Sequence, residues 1–158
     1  MTKSSTTILL VLATLLAGLI AGFFYTWSFT IMQSLNLVGN ESSSAAMISI
    51  NANIRTGWFA AISFGAPVAI LLATLILRRT KNRAYIWSLI ALIFAVSTLV
   101  ITFTQHLPLN DRLAEGMDWN AYYIDWVGWN HVRMITSVVA FLMMLGSVLS
   151  FNTERIGL

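Results

Sequence analysis

The chain has no cysteine. Disulfides, a thiolate nucleophile, an iron–sulfur cluster and cysteine-ligated haem are therefore excluded. Charge is scarce as well, at 9% of residues against about 25% in a soluble domain. Only two histidines occur, His106 and His131, few for a metalloprotein. No G-x-G-x-x-G, Walker loop, G-x-S-x-G or H-E-x-x-H is present. The long apolar runs contain no acidic residue, which argues against proton-coupled transport or voltage sensing. They also lack the interrupted-helix pattern of secondary transporters. Asp111, Glu115, Asp118 and Asp125 lack calcium-loop spacing and read as a solvated face.

What the chain has is apolar length. It is 58% hydrophobic with a mean hydropathy of +0.78 over 158 residues, which describes an integral membrane protein of one domain, 1–158. Four runs are long enough to cross a hydrocarbon core, which takes about 20 helical residues: 8–35, 56–77, 84–107 and 132–151. The first follows Lys3 but offers no persuasive cleavage site before Phe23, Phe24, Tyr25 and Trp27, so it reads as a retained span rather than a signal peptide. The expected fold is all-α, a four-span transmembrane helix bundle.

Arg78, Arg79, Lys81 and Arg83 crowd between the second and third runs. By the positive-inside rule that loop is cytoplasmic. Both termini then share its side, in agreement with Lys3 and Arg155. The net charge of +3 thus reports orientation in a bacterial inner or plasma membrane, with the bilayer as partner and no nucleic acid. The composition leaves room for a homo-oligomer. Gly18 and Gly22, with Ala17 and Ala21 alongside, suit close helix packing. Pro67 should kink the second span and Pro108 should end the third.

Chemistry-capable residues gather in the two outward loops. Ser42, Ser43 and Ser44 are suited to capping a helix over 45–55 that continues into the second span. Asn51, Arg55 and Trp58 would share one face of it. The second outward loop begins at His106 and Asn110 and leads to Trp126, Trp129, Asn130 and Arg133, again one face if helical. His131 would lie about 200° around that helix from Arg133. Two readings compete: a pocket wall with an amide, a cation and aromatic plates, or an interfacial belt of Trp anchors with a snorkelling Arg.

These residues also carry a resemblance. Gly22-Phe23-Phe24, Met47 to Asn51 followed by Trp58-Phe59, Pro108-Leu109-Asn110 and Trp126-x-x-Trp129-Asn130-x-x-Arg133 together resemble the anthrone-oxygenase-like family of small four-helix membrane proteins. The last two motifs are the specific ones. The sequence departs from the family at His106, where Asn is more frequent, and at Gly57, where Pro is. The resemblance implies the four-helix fold. For some members it implies oxidation of an anthrone methylene to a quinone carbonyl by molecular oxygen, without metal or flavin.

Such a reaction needs a base and donors that hold an oxyanion. Arg133 is a permanent, fork-shaped donor. Asn51, Asn110 and Asn130 are neutral donors, and Trp58, Trp126 and Trp129 are flat walls. His131 or His106 could act as base, with Tyr25 and Tyr122 as alternatives. The expected ligand is a small lipophilic aromatic, quinol or quinone, with Arg55 on the same binding face and no cofactor. Two other classes fit the residues: a non-catalytic subunit binding lipid, quinone or a partner, and a haem or copper protein ligated by His106 and His131.

Overall fold

The computed structural model describes residues 2–54 and 57–156, with side chains described as far as Asn152. Among the described residues the structure is helical, with no strand. Helix α1 (Lys3–Thr26) passes through a π-turn (Trp27–Ile31) into α2 (Met32–Leu35), forming the first span. Helix α3 (Asn40–Ile54) lies outside the spans and α4 (Trp58–Arg79) is the second. Helix α5 (Ala84–Ile101), a second π-turn (Thr102–His106) and α6 (Leu107–Ala114) make the third. The fourth is α7 (Trp119–Ile156). All four are long and apolar enough to cross a membrane. The spans pack in a ring, with first against second, second against third, third against fourth and fourth against first.

Local chemistry explains how an apolar chain carries so many hydroxyls. Thr14, Thr74 and Thr98 donate to the carbonyl four residues back in their own helix, so these three hydroxyls are not stranded in the bundle. Thr2 caps α1 by accepting from the Ser5 N–H at 3.2 Å. Asn82 Oδ1 accepts from the Ala84 N–H at 2.9 Å and starts α5. A few hydroxyls bind across helices instead. Thr98 meets Thr136 at 2.8 Å, and Ser147 donates to the Ala84 carbonyl at 3.1 Å.

The spans differ in length, and that difference builds the site. Helix α4 has 22 residues, about 33 Å, which matches a hydrocarbon core of about 30 Å. Helix α7 has 38, about 57 Å. Its surplus at the Trp119 end joins α2, α3 and α6 in a cap around Trp27, Met32, Met47, Leu109, Leu113, Trp119, Tyr122 and Trp126. At the other end the core is built on alanine: Ala13, Ala17, Ala69, Ala73, Ala84, Ala91, Ala95 and Ala140 let the helices approach closely around Leu10, Ile70, Leu77 and Met144.

Four sequence expectations are corrected. Ser43 is inside α3, where its hydroxyl donates to the Leu35 and Gly39 carbonyls; it ties down the end of the first span instead of capping a helix start. Helix α3 does not run on into the second span, because it ends at Ile54 and Gly57 adopts a φ of +75°, which only glycine enters cheaply and proline cannot. Pro108 does not end the third span. The π-turn before it, closed by the Leu107 N–H on the Thr102 carbonyl, widens the helix so that it continues through the proline. Finally, only half of the glycine pair is a packing device: a Cβ on Gly18 would press on the Phe141 ring at 3.1 Å, whereas Gly22 faces open space.

A tighter approach occurs at Gly146, where a Cβ would stand 2.9 Å from the Trp87 indole. Gly146→Ala should lower thermal stability in detergent by about 1–3 kcal/mol through overpacking, Gly22→Ala should leave it unchanged or raise it, and Trp87→Leu should relieve the first effect. Equal melting temperatures for the two glycine variants would refute the close contact.

Candidate functional site

Between the alanine-lined bundle and the aromatic cap lies a cavity of about 280 Å³, near the small end of ligand pockets. The first and fourth spans form its back, through Phe24, Trp27, Trp126 and Arg133. The second and third form its front, and Asn51 and Asn110 reach it from α3 and α6. Among the described residues no acidic side chain lines it.

Its polar end is organised around Arg133, which is buried. Arg133 Nη2 donates to Asn130 Oδ1 at 2.7 Å, and Nη1 reaches Thr102 Oγ1 at 3.4 Å. The guanidinium carbon lies 4.4 Å from the Phe24 ring centroid and 5.4 Å from that of Trp126, so aromatic faces take up part of its charge. Asn130, fully buried, turns its amide to the first span and donates to Ser28 Oγ at 2.8 Å and the Phe24 carbonyl at 3.1 Å. On the cap side the Tyr122 hydroxyl donates to Asn110 Oδ1 at 2.8 Å.

Both π-turns stand at this level. One carries Trp27 and Ser28; the other carries Thr102 and His106. A π-turn inserts a residue into a helix, re-aims the side chains around it and is frequent at functional sites.

The decisive feature is what lacks a partner. Six buried side-chain atoms have no hydrogen bond among the described residues: Asn51 Nδ2, Ser63 Oγ, both ring nitrogens of His106, Trp126 Nε1 and Arg133 Nε. Every one belongs to a residue lining this cavity. The His106 nitrogens lie near the backbone of Ile101 and Trp126, and the Asn51 amide near the Tyr122 hydroxyl, without reaching hydrogen-bond geometry. Pro67, also on the wall, has no N–H to offer the Ser63 carbonyl. Buried polar atoms are normally satisfied, so orphans confined to one cavity suit a polar guest.

The sequence candidates divide cleanly. Asn51, His106, Asn110, Trp126 and Arg133 line the cavity, and Asn130 supports Arg133 from behind. Trp129 does not share their face: it is 39% exposed, about 60° around the helix from Trp126 and about 100° from Asn130. Trp58 is 86% exposed and no part of the wall. His131 turns away, its Nδ1 against its own Val127 carbonyl at 2.8 Å and its ring on Phe29, whereas His106 packs edge-on to Trp126 at 5.0 Å. Tyr25 is exposed and Tyr122 buried. Arg55 lies outside the described residues. Among the described residues no three His, Asp or Glu side chains are grouped to hold a metal.

Phe24, Trp27, Ser28, Ser63 and Thr102 were not singled out by sequence. A signal existed for one of them: Thr98, Thr102, His106 and Asn110 recur every four residues, and all line the cavity.

The bond lengths rank the network. Asn130→Ala removes the 2.7 Å bond to Arg133 and strands it, so it should destabilise by about 1–3 kcal/mol. Thr102→Val removes the 3.4 Å contact to Arg133 and the 2.9 Å bond to the Thr98 carbonyl of its own helix, but it leaves no donor of its own behind and should cost less, near the average of about 0.6 kcal/mol for a polar contact between spans. Unfolding in mixed micelles compares them, and a larger loss in the valine variant would refute this ranking.

Among known proteins, the family model described as Anthrone oxygenase matches residues 55–143, more than half of the chain. The match includes His106, Asn110, Trp126, Asn130 and Arg133. No curated protein and no solved structure matches. With this arrangement and this match, the chain belongs to the anthrone oxygenase family.

Proposed function

We propose that this protein is a membrane oxidoreductase that oxidises a small lipophilic phenol, quinol or anthrone-like aromatic with molecular oxygen. The observation that carries the reading is the set of unpartnered atoms around one cavity. Arg133 Nε, Trp126 Nε1 and Asn51 Nδ2 can only donate, which suits a guest bearing an anionic or carbonyl oxygen. Neutral His106 has one ring nitrogen free to accept a proton. The cavity thus combines a base with oxyanion donors, and the family supports chemistry of the oxygenase type.

With an anthrone the steps balance as follows. His106 takes one methylene proton, and Arg133 holds the resulting enolate oxygen. The electron-rich carbon reduces dioxygen and forms a C–O bond, and the resulting peroxide anion takes the proton back from His106, giving a hydroperoxide at that carbon. Loss of the second methylene hydrogen with O–O cleavage leaves a carbonyl and releases water. In sum, one anthrone and one dioxygen give one anthraquinone and one water. His106 serves as base because His131 points elsewhere. Trp126 and Phe24 flank the aromatic guest, and Asn130 keeps the guanidinium in place.

A second reading has its own support. Arg133 and Asn130 already satisfy each other at 2.7 Å, as expected if they only tie helices together in a non-catalytic lipid-, quinone- or partner-binding subunit.

Anthrone turnover in nanodiscs, followed as oxygen uptake and quinone absorbance, separates the two. Arg133→Met and His106→Gln should each lower turnover at least a hundredfold, within the range for a lost oxyanion donor or general base, while the protein stays folded. Wild-type protein without turnover, or variants that lose stability and activity in proportion, would favour the structural reading. The basic loop around Lys81 supports a cytoplasmic location for both termini, with the cavity end outside. Because the chain has no native cysteine, a single Thr80→Cys should resist a membrane-impermeant maleimide in intact cells; labelling there would reverse this topology.

A further inference from the structure

The cavity is closed at the back by the first and fourth spans, yet two of its lining side chains are half exposed: Phe64 on α4 and Phe103 in the second π-turn, each at 50%. Their rings face each other at 6.2 Å, one from each span at the front. Phe64 stands about 9 Å along a helix of about 33 Å, within the length that matches the hydrocarbon core. A surface at that depth between two apolar spans meets acyl chains rather than water. The two phenylalanines are the apolar, half-exposed part of the front, and Arg133 and Trp126 lie on the opposite wall.

We infer that the cavity opens sideways into the bilayer between the second and third spans, with Phe64 and Phe103 as its doorposts, and that a lipophilic guest passes between them from the lipid phase. The guest is an aromatic with one oxygen-bearing edge, whose apolar body matches the doorway and whose oxygen reaches the donors behind it. This rests on the proposed function for the identity of the guest, but the position of the doorway does not.

Two measurements test it. Bimane attached to Phe103→Cys in nanodiscs should be quenched by lipids brominated along the acyl chain and not by aqueous iodide. A Phe64→Cys/Phe103→Cys pair bridged by a bifunctional methanethiosulfonate should take up and release anthrone at least tenfold more slowly than the unbridged pair, followed by tryptophan quenching, with an unchanged Kd and full recovery on reduction. Quenching by iodide instead of lipid would overturn the doorway, and so would a bridged protein that takes up anthrone at the unbridged rate. Lipid quenching in a protein that binds no anthrone would overturn the proposed substrate and still support the doorway.

Discussion

The structure turns on a guanidinium held inside an apolar bundle without a carboxylate beside it. Removing such a charge from water is costly unless hydrogen bonds and polarisable neighbours replace the solvent. Here they come from three of the four spans: Asn130 beside it on the fourth, the Phe24 ring on the first, and Thr102 on the third. Asn130 extends the chain to Ser28 and the Phe24 carbonyl, so the group that anchors Arg133 also fixes the first span against the fourth. One cation thereby touches side chains from three spans.

The cap protects that arrangement from water. Trp119 Nε1 donates to Asn36 Oδ1 at 2.8 Å, which joins the end of the first span to an element far along the chain, and Ser43 closes on the Leu35 carbonyl from the next helix. Asp118 accepts from the Asn120 and Ala121 N–H groups and starts α7 before the membrane, which lengthens the fourth span into a wall for the cap. The aromatic residues packed beneath, Trp27, Trp119, Tyr122 and Trp126, exclude solvent from the polar groups they cover. In a drier setting each donor acts more strongly on charge placed against it.

Spans and polar end were readable because hydropathy and helical spacing are local. Trp126, Asn130 and Arg133 met the cavity network as their periodicity required, and His106 and Asn110 came with them. Trp129 failed because it stands about 60° around the helix from Trp126 and about 100° from Asn130, enough to move an indole from wall to surface. Trp58 failed because its place depended on a helix running through Gly57, and one residue at positive φ ended that continuity. The first π-turn has no marker in the sequence, and the second has only Pro108 just beyond it. Ser28 and Phe24 were hidden because their role exists only once the fourth span lies against the first.

The placement of Phe64 and Phe103 across the cavity from Arg133 and Trp126 has a consequence for a reaction with oxygen. A guest bound by its oxygen-bearing edge to Arg133 turns its far edge toward Phe64 and Phe103. If dioxygen is the co-reactant, it too is apolar and more soluble in hydrocarbon than in water, so the doorway that admits the guest also supplies the gas to the edge that reacts. Water is the unwanted visitor, because it would solvate the enolate and weaken the donors that hold it. A lateral doorway in the acyl region admits both apolar reactants and hinders water, without any moving lid. In the proposed arrangement the cap over the top and the phenylalanines at the side serve one end, a polar pocket entered from the acyl phase.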